Sequence, residues 1–368
     1  MTQSNFIHSI RWISAVLVVM NHLRSLLFKD YLEVSNPKGL LIKFFYLITS
    51  LGHSAVIFFF VLSGYLIGRS VINQINYKVF NFKDYLLNRV SRIYAVLIVA
   101  LLFTWFFDSI GGFYDANEIY SNRVGFATLN FSVVQHSTII HFLASLLMMQ
   151  SILLPPFGSN GPLWSLSFEF WYYVMFPVCL LIITNFFKDK KLLFLNILIL
   201  SALLIFLPIT IKTYYLIWLL GLIPLYLKLA SKAWKFILPA LLVSTLLAQR
   251  YNYFRIDGFY YDFIVASVFA CWLATFIDLK DRSNLYSFNK ALSGFSYSLY
   301  LLHFPFILCI LTVIQRYKSI GIKMNPSPVS FSLFCILLLF TLLFAYSVSI
   351  ITEQKTSSFR NFLKQKLS

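Results

Sequence analysis

Arg11 and His22 stand eleven residues apart in the apolar stretch RWISAVLVVMNH. On an α-helix eleven residues rise about 16 Å and complete about three turns, so the two side chains share a face at different depths. An imidazole takes up and returns a proton near neutral pH, which suits acid–base work. If the helix crosses a membrane, an ionisable residue inside it is costly and marks function by default. The plainer alternative is a first membrane helix whose polar residues sit at its two interfaces, Arg11 snorkelling and His22 bonded to neighbours.

Four further constellations follow along the chain. GHSAVIFFFVLSGYLIGR carries Ser63-Gly64 and ends in Arg69; small residues there read as a packing notch, and Ser63 is also a candidate pocket residue. In RVSRIY, Arg89 and Arg92 are three apart on one helical face. Two guanidiniums at a membrane surface suit phosphate in a bidentate way, and a basic cytoplasmic flank explains them equally well. GPLWSLSFEFWYYVMFP places Trp164 at the start of an apolar segment and Glu169 about two turns in. A carboxylate at that depth must be neutral or paired, with Arg11 or His22 on another helix or with a Trp, Tyr or Ser of its own. In FSYSLYLLHFP, Ser296, Tyr300 and His303 fall on one face at spacings of four and three. His303 either lines the bundle interior or bonds a carbonyl that Pro305 leaves free.

The elements that must position these groups are read from composition. Of 368 residues 59% are hydrophobic and only 12% charged, against about 25% charged in soluble domains. The pattern predicts an all-α polytopic membrane helix bundle. On a ruler of about 20 apolar residues per span, ten helices are expected near 7–28, 52–69, 92–108, 162–186, 192–210, 213–227, 236–250, 259–277, 293–315 and 329–351. Two apolar pieces, 40–50 and 142–155, are too short or interrupted to span; the second, ending at Pro155-Pro156 and Gly158, reads as interfacial or re-entrant. The first helix has no cationic stretch before it and no small-residue cleavage site, and is expected to be retained.

The formal charge of +17 does not point to nucleic acid, because the bases fall in short clusters between apolar runs. With the N-terminus in the cytoplasm, the inner side collects Arg11, the bases from Arg69 to Arg92, the clusters at 188–191, 228–235 and 280–290 and those after residue 352, which is 19 of 30. That bias predicts both termini inside and an even number of spans. Cys179, Cys271, Cys309 and Cys335 lie singly in apolar runs, with no CxxC pair and no metal-ligand spacing, so neither disulfides nor a metal is expected. The expected organisation is one membrane domain over 1–352 and a short basic cytoplasmic tail over 353–368.

Taken together, Arg11 and His22 at their spacing, FFFVLSGYLIGR, RVSRIY, WSLSFE and SYSLYLLH resemble the acyltransferase-3 family of integral membrane acyltransferases, in order along nearly the whole chain. The resemblance implies an enzyme that moves an acyl group, most often acetyl from cytoplasmic acetyl-CoA, onto a hydroxyl of an extracytoplasmic or lipid-linked carbohydrate of the O-antigen or exopolysaccharide type, in the inner membrane of a bacterium. It maps the family's helix-one Arg and His onto Arg11 and His22, its arginine pair onto Arg89 and Arg92 and its helix-four acid onto Glu169. On that footing His22 is the expected base, Glu169 orients it, and Arg69, Arg89 and Arg92 hold cofactor phosphates. Arg11 lies along the thioester path, and Ser63, Trp164, Tyr300 and His303 line the pocket. Some relatives carry a C-terminal extracytoplasmic hydrolase-like domain, which is not expected here, so any step that needs one is expected to call on a separate extracytoplasmic partner protein. The rival reading is a proton-coupled transporter or exporter, which the same intramembrane charges would also serve.

Overall fold

Runs of Leu, Ile, Val and Phe become helices in hydrocarbon because every backbone N–H must find its partner inside the same segment. The computed structural model describes residues 2–34, 39–186, 189–276, 283–318 and 321–367. Among these residues there is no strand, only three isolated bridges. The helices are α1 (Gln3–Leu27), α2 (Leu40–Thr49), α3 (Gly52–Asn76), α4 (Phe82–Tyr114), α5 (Val133–His136), α6 (Ile139–Leu146), α7 (Leu163–Asn185), α8 (Lys190–Phe206), α9 (Ile209–Leu219), α10 (Ile223–Tyr226), α11 (Trp234–Arg250), α12 (Gly258–Leu273), α13 (Asn284–Ser293), α14 (Ser296–Lys318), α15 (Pro328–Ile351) and α16 (Thr356–Leu367).

Each of the ten expected spans falls on a helix. Among the described residues, seven helical stretches are long and apolar enough to cross a bilayer: α1, α2 with α3, α4, α7, α9 with α10, α14, and α15 with α16. The other three expected spans fall on α8, α11 and α12, of 17, 17 and 16 residues, shorter than the usual span of about 20. The interrupted piece at 142–155 holds only the end of an eight-residue helix, α6, capped by the Thr138 hydroxyl accepting from His141 N. Exposed Phe194, Leu198 and Ile205 on α8 and Leu339, Phe340 and Leu343 on α15 form apolar surface that a bilayer covers. The chain is thus an all-α, multi-pass membrane protein. Ile277, at the end of one expected span, and the bases Lys188, Lys280 and Arg282 lie outside the described residues.

Two compact units are present. The first comprises Met1–Ile10, Val56–Val90 and Ser165–Ser287, the second Arg11–Ala55, Ser91–Trp164 and Phe288–Ser368. In the first, α3 crosses the α9–α10 segment at backbone contact. A Cβ on Gly64 would overlap the Trp218 carbonyl oxygen, and one on Gly221 would overlap the Val61 carbonyl oxygen. The notch expected at Ser63-Gly64 is therefore real, and it depends on a second glycine across from it. Gly64→Val is expected to destabilise the protein by about 3 kcal/mol or more through overpacking against rigid backbone. Gly112→Ala on α4, where an added Cβ meets nothing within 4 Å, is expected to be neutral or slightly stabilising. Thermal unfolding of the purified variants separates the two.

In the second unit α14 is the buried centre, with every residue from Ser298 to Pro305 buried. Pro305 has no N–H to give to Leu301 O, four residues back. The Asn160 side chain fills that place, its Nδ2 donating to Leu301 O at 2.9 Å and to Thr104 Oγ1 at 3.0 Å. Its loop is anchored in turn by buried Asp108 of α4, which accepts from Ser159 N at 2.7 Å and Ser159 Oγ at 2.6 Å. Gly158 has φ +58° there, and a Cβ on it would collide with the Asp108 carboxylate. Glycine satisfies both the left-handed backbone and the close approach.

Candidate active site

Side chains of α1 and α14 meet twice in the second unit. Near the start of both helices Arg11 Nη2 donates to Ser296 Oγ at 3.4 Å. Further along both, His22 Nδ1 lies 2.7 Å from His303 Nε2, with the two rings nearly coplanar at 5°. The helices therefore run in the same direction, and the polar stripe expected on α14 faces the Arg11–His22 face of α1.

Hydrogen positions on the imidazole pair follow from its partners. His303 is fully buried, and its Nδ1 sits 2.8 Å from Tyr300 O and 3.1 Å from Leu299 O. Carbonyl oxygens only accept, so Nδ1 must carry the proton. In a neutral ring Nε2 is then the acceptor, and the proton between the rings belongs to His22 Nδ1. That leaves His22 Nε2 as an unprotonated lone pair, the tautomer a base or nucleophile needs. The alternative for His303, a bond to the carbonyl freed by Pro305, is not what forms, since Asn160 takes that carbonyl. Tyr300, the other pocket candidate on α14, spends its hydroxyl on Pro162 O at 3.2 Å. The neighbouring Asn21 is structural. Its Nδ2 donates to Thr49 O at 2.9 Å, and it packs where a Cβ on Gly52 would have to go.

Arg11 has a counter-charge that sequence reasoning missed. Glu353, just past the end of α15, places Oε1 3.9 Å from Arg11 Nη2. Its Oε2 accepts from Ser298 N at 2.9 Å and Ser298 Oγ at 3.0 Å. Ser298 lies in the first turn of α14, where backbone N–H groups lack helical partners and the helix dipole favours a negative charge. The charge of Arg92 also acts on Glu353. A signal was present in the sequence, for Glu353 is the only acid after Asp281.

Glu169 belongs to the first unit. It accepts a short hydrogen bond from the Tyr173 hydroxyl one turn later on α7. Behind Tyr173 the donors run in one direction: Trp218 Nε1 to Ser63 Oγ at 3.2 Å, and Ser63 Oγ to the Tyr173 hydroxyl at 3.2 Å. Ser63 is thus a relay between a buried indole and the tyrosine that holds the carboxylate. Of the alternatives for Glu169, a Tyr of its own helix is the one observed. In the same unit the Arg89 guanidinium lies over the Tyr85 ring, 5.5 Å from its centroid, with Nε buried and unbonded. Arg69 Nη1 donates to the Tyr65 hydroxyl at 3.3 Å. Trp164 opens α7, half-buried. Among the described residues no group of three or more His, Cys, Asp or Glu is placed to hold a metal ion.

Comparison with known proteins matches the chain over residues 4–350 to the acyltransferase-3 family, whose model is described as an acyltransferase domain. An O-acetyl transferase of Shigella phage Sf6 is 27% identical over 186 residues, 50% of this chain and 48% of the relative. A protein of Haemophilus influenzae described as uncharacterized is 29% identical over 148 residues, 40% of this chain and 57% of the relative. The chain thus spans about half the length of these curated relatives. No solved structure matches. Because the family match runs from the first helix into α15 and takes in every motif described above, this chain belongs to the acyltransferase-3 family.

Proposed function

We propose that the protein is a membrane O-acyltransferase of a bacterial inner membrane. It moves an acyl group, acetyl by default, from cytoplasmic acyl-CoA to a carbohydrate hydroxyl at the outer side. Family membership and the phage relative named O-acetyl transferase support the reaction class. The single observation that carries the reading is the His22–His303 pair, which leaves His22 Nε2 free to take a proton.

In this reading His22 Nε2 removes the acceptor hydroxyl proton as the oxygen attacks the thioester carbonyl carbon. Collapse of the tetrahedral intermediate breaks the C–S bond, and the departing CoA thiolate takes the proton back from the imidazolium. His303 keeps the His22 ring in one tautomer and orientation, the part a carboxylate plays in a catalytic triad. Arg11 supplies positive charge on the thioester path, and Arg69, Arg89 and Arg92 bind the phosphates of the donor. Glu169, held by Tyr173, is a polar group of the first unit that the family resemblance also marks.

Ester analysis of the surface glycan from cells with and without the protein tests the reading. Loss of O-linked acyl groups on deletion is expected, and unchanged ester content would remove the function. In the same assay Glu169→Gln, which neutralises the acid that the family resemblance marks and that Tyr173 holds, is expected to lower ester content at least about tenfold. Tyr173→Phe, which removes only the hydroxyl that holds the carboxylate, should cost less. Labelled acyl-enzyme trapped from acetyl-CoA without acceptor would reassign His22 from base to acyl carrier if the label disappears in His22→Ala.

A further inference from the structure

The first unit contains a polar cavity of about 370 Å³ that the reaction scheme uses only through Arg69. Tyr65, Arg69, Asn73 and Asn76 line it at spacings of four, four and three, hence from one face of α3, and Gln3 of α1 and Lys228 complete it. The cavity has two cations and no carboxylate in its lining. Lys228 Nζ donates to Pro224 O at 3.0 Å, which uses one of its three protons. Gln3 is 1% exposed; its Oε1 accepts from the Tyr65 hydroxyl at 2.7 Å, while its buried Nε2 has no partner. A buried donor left without an acceptor destabilises the fold, so the site calls for an acceptor.

We infer that this cavity receives the phosphate-bearing nucleotide end of acyl-CoA, with Gln3, Asn73, Asn76 and Lys228 as binding residues alongside Arg69. The inference rests on the acyl-CoA reading above. A phosphate from a free nucleotide and one from an anionic lipid headgroup would both suit Arg69 and Lys228. The carboxamides decide between them. Asn73 and Asn76 each offer a donor and an acceptor in one plane, the pairing that fits the edge of an adenine base and that a phosphate cannot use. Tyr65 and Tyr226 add aromatic rings to the same lining. A wholly apolar groove lined by Leu216, Leu219, Ile223 and Phe263 shares Tyr226 with the cavity, which makes a phospholipid the competitor to exclude.

Binding of CoA to the full-length protein in phosphatidylcholine nanodiscs, followed by calorimetry, is the test. Lys228→Ala and Asn73→Ala are each expected to weaken CoA binding about five- to tenfold, and Lys228→Arg to retain most of it. Both altered residues are solvent-exposed at the mouth, so folding should survive. Dephospho-CoA should bind wild type more weakly than CoA, and that gap should shrink in Lys228→Ala. Adding phosphatidylglycerol to the disc should leave CoA affinity unchanged. Wild-type CoA affinity in both alanine variants would overturn this inference and leave the proposed function standing. Competition by phosphatidylglycerol that vanishes in Lys228→Ala would overturn it in favour of a lipid. No CoA binding to wild type, together with no transfer from acyl-CoA, would overturn the acyl-CoA reading and this inference with it.

Discussion

His22→Ala is expected to lower kcat/KM for acyl transfer by about 1,000- to 10,000-fold, the upper range for loss of a general base that also returns the proton. His303→Ala is expected to lose about 100- to 1,000-fold. The second figure is the more diagnostic. His303 need not touch the reacting atoms, but it fixes where the His22 proton resides, because its own Nδ1–H is committed to Tyr300 O and Leu299 O. Without that acceptor the His22 ring is free to protonate Nε2 instead, which removes the lone pair from the reaction. Losing an orienting group in a catalytic triad has a similar effect through the wrong tautomer. Since the two residues act as one unit, the double variant should be no worse than His22→Ala alone. Initial rates with labelled acetyl-CoA in nanodiscs and acceptor membranes from a deletion strain measure this. CoA affinity, expected to be unchanged in both variants, serves as the control for folding. A His303→Ala enzyme at wild-type rate would remove the relay, and additive losses in the double variant would show the two histidines acting separately.

Hydropathy made the helices legible, and of the two pieces it left too short, 142–155 holds only the end of a short helix whereas 40–50 runs on into α3 as part of one longer apolar stretch. Ionisable residues in apolar runs also stood out, because little else explains an imidazole or carboxylate there. What hydropathy does not encode is which helix lies against which. His22 was given Glu169 as its partner on grounds of chemistry alone, and the packing of α1 along α14 places His303 beside it, a partner that hydropathy did not single out. That choice was underdetermined, as both partners sit in polar stripes at helical spacing. Asp108 escaped notice at the end of a span, and Asn160 escaped because a loop residue has no periodicity to betray a buried role. Glu353 was lost for a third reason. A boundary drawn at the last apolar residue assigned it to a basic tail, although a lone acid among bases is itself a reason to look for an arginine.

Glu353→Ala is expected to destabilise the protein by about 2–4 kcal/mol and to abolish most transfer. Breaking a buried ion pair costs about 3–5 kcal/mol because the surviving charge is stranded. The lower range applies because the Arg11 and Glu353 side chains keep 18% and 13% exposure and stand 3.9 Å apart. Against that discount, the carboxylate also satisfies Ser298 N and Oγ at the start of α14, and both would lose their acceptor. Stability and catalysis can be separated by removing both charges. An Arg11→Met/Glu353→Leu double variant strands neither partner, and apolar replacement of a buried pair is often neutral. It should therefore recover most of the thermal stability lost in Glu353→Ala. If Arg11 supplies positive charge on the thioester path, transfer should stay lost in that double variant despite the regained fold. Recovery of both stability and rate would show that the pair serves only to hold α1 against α14, and would take Arg11 out of the reaction.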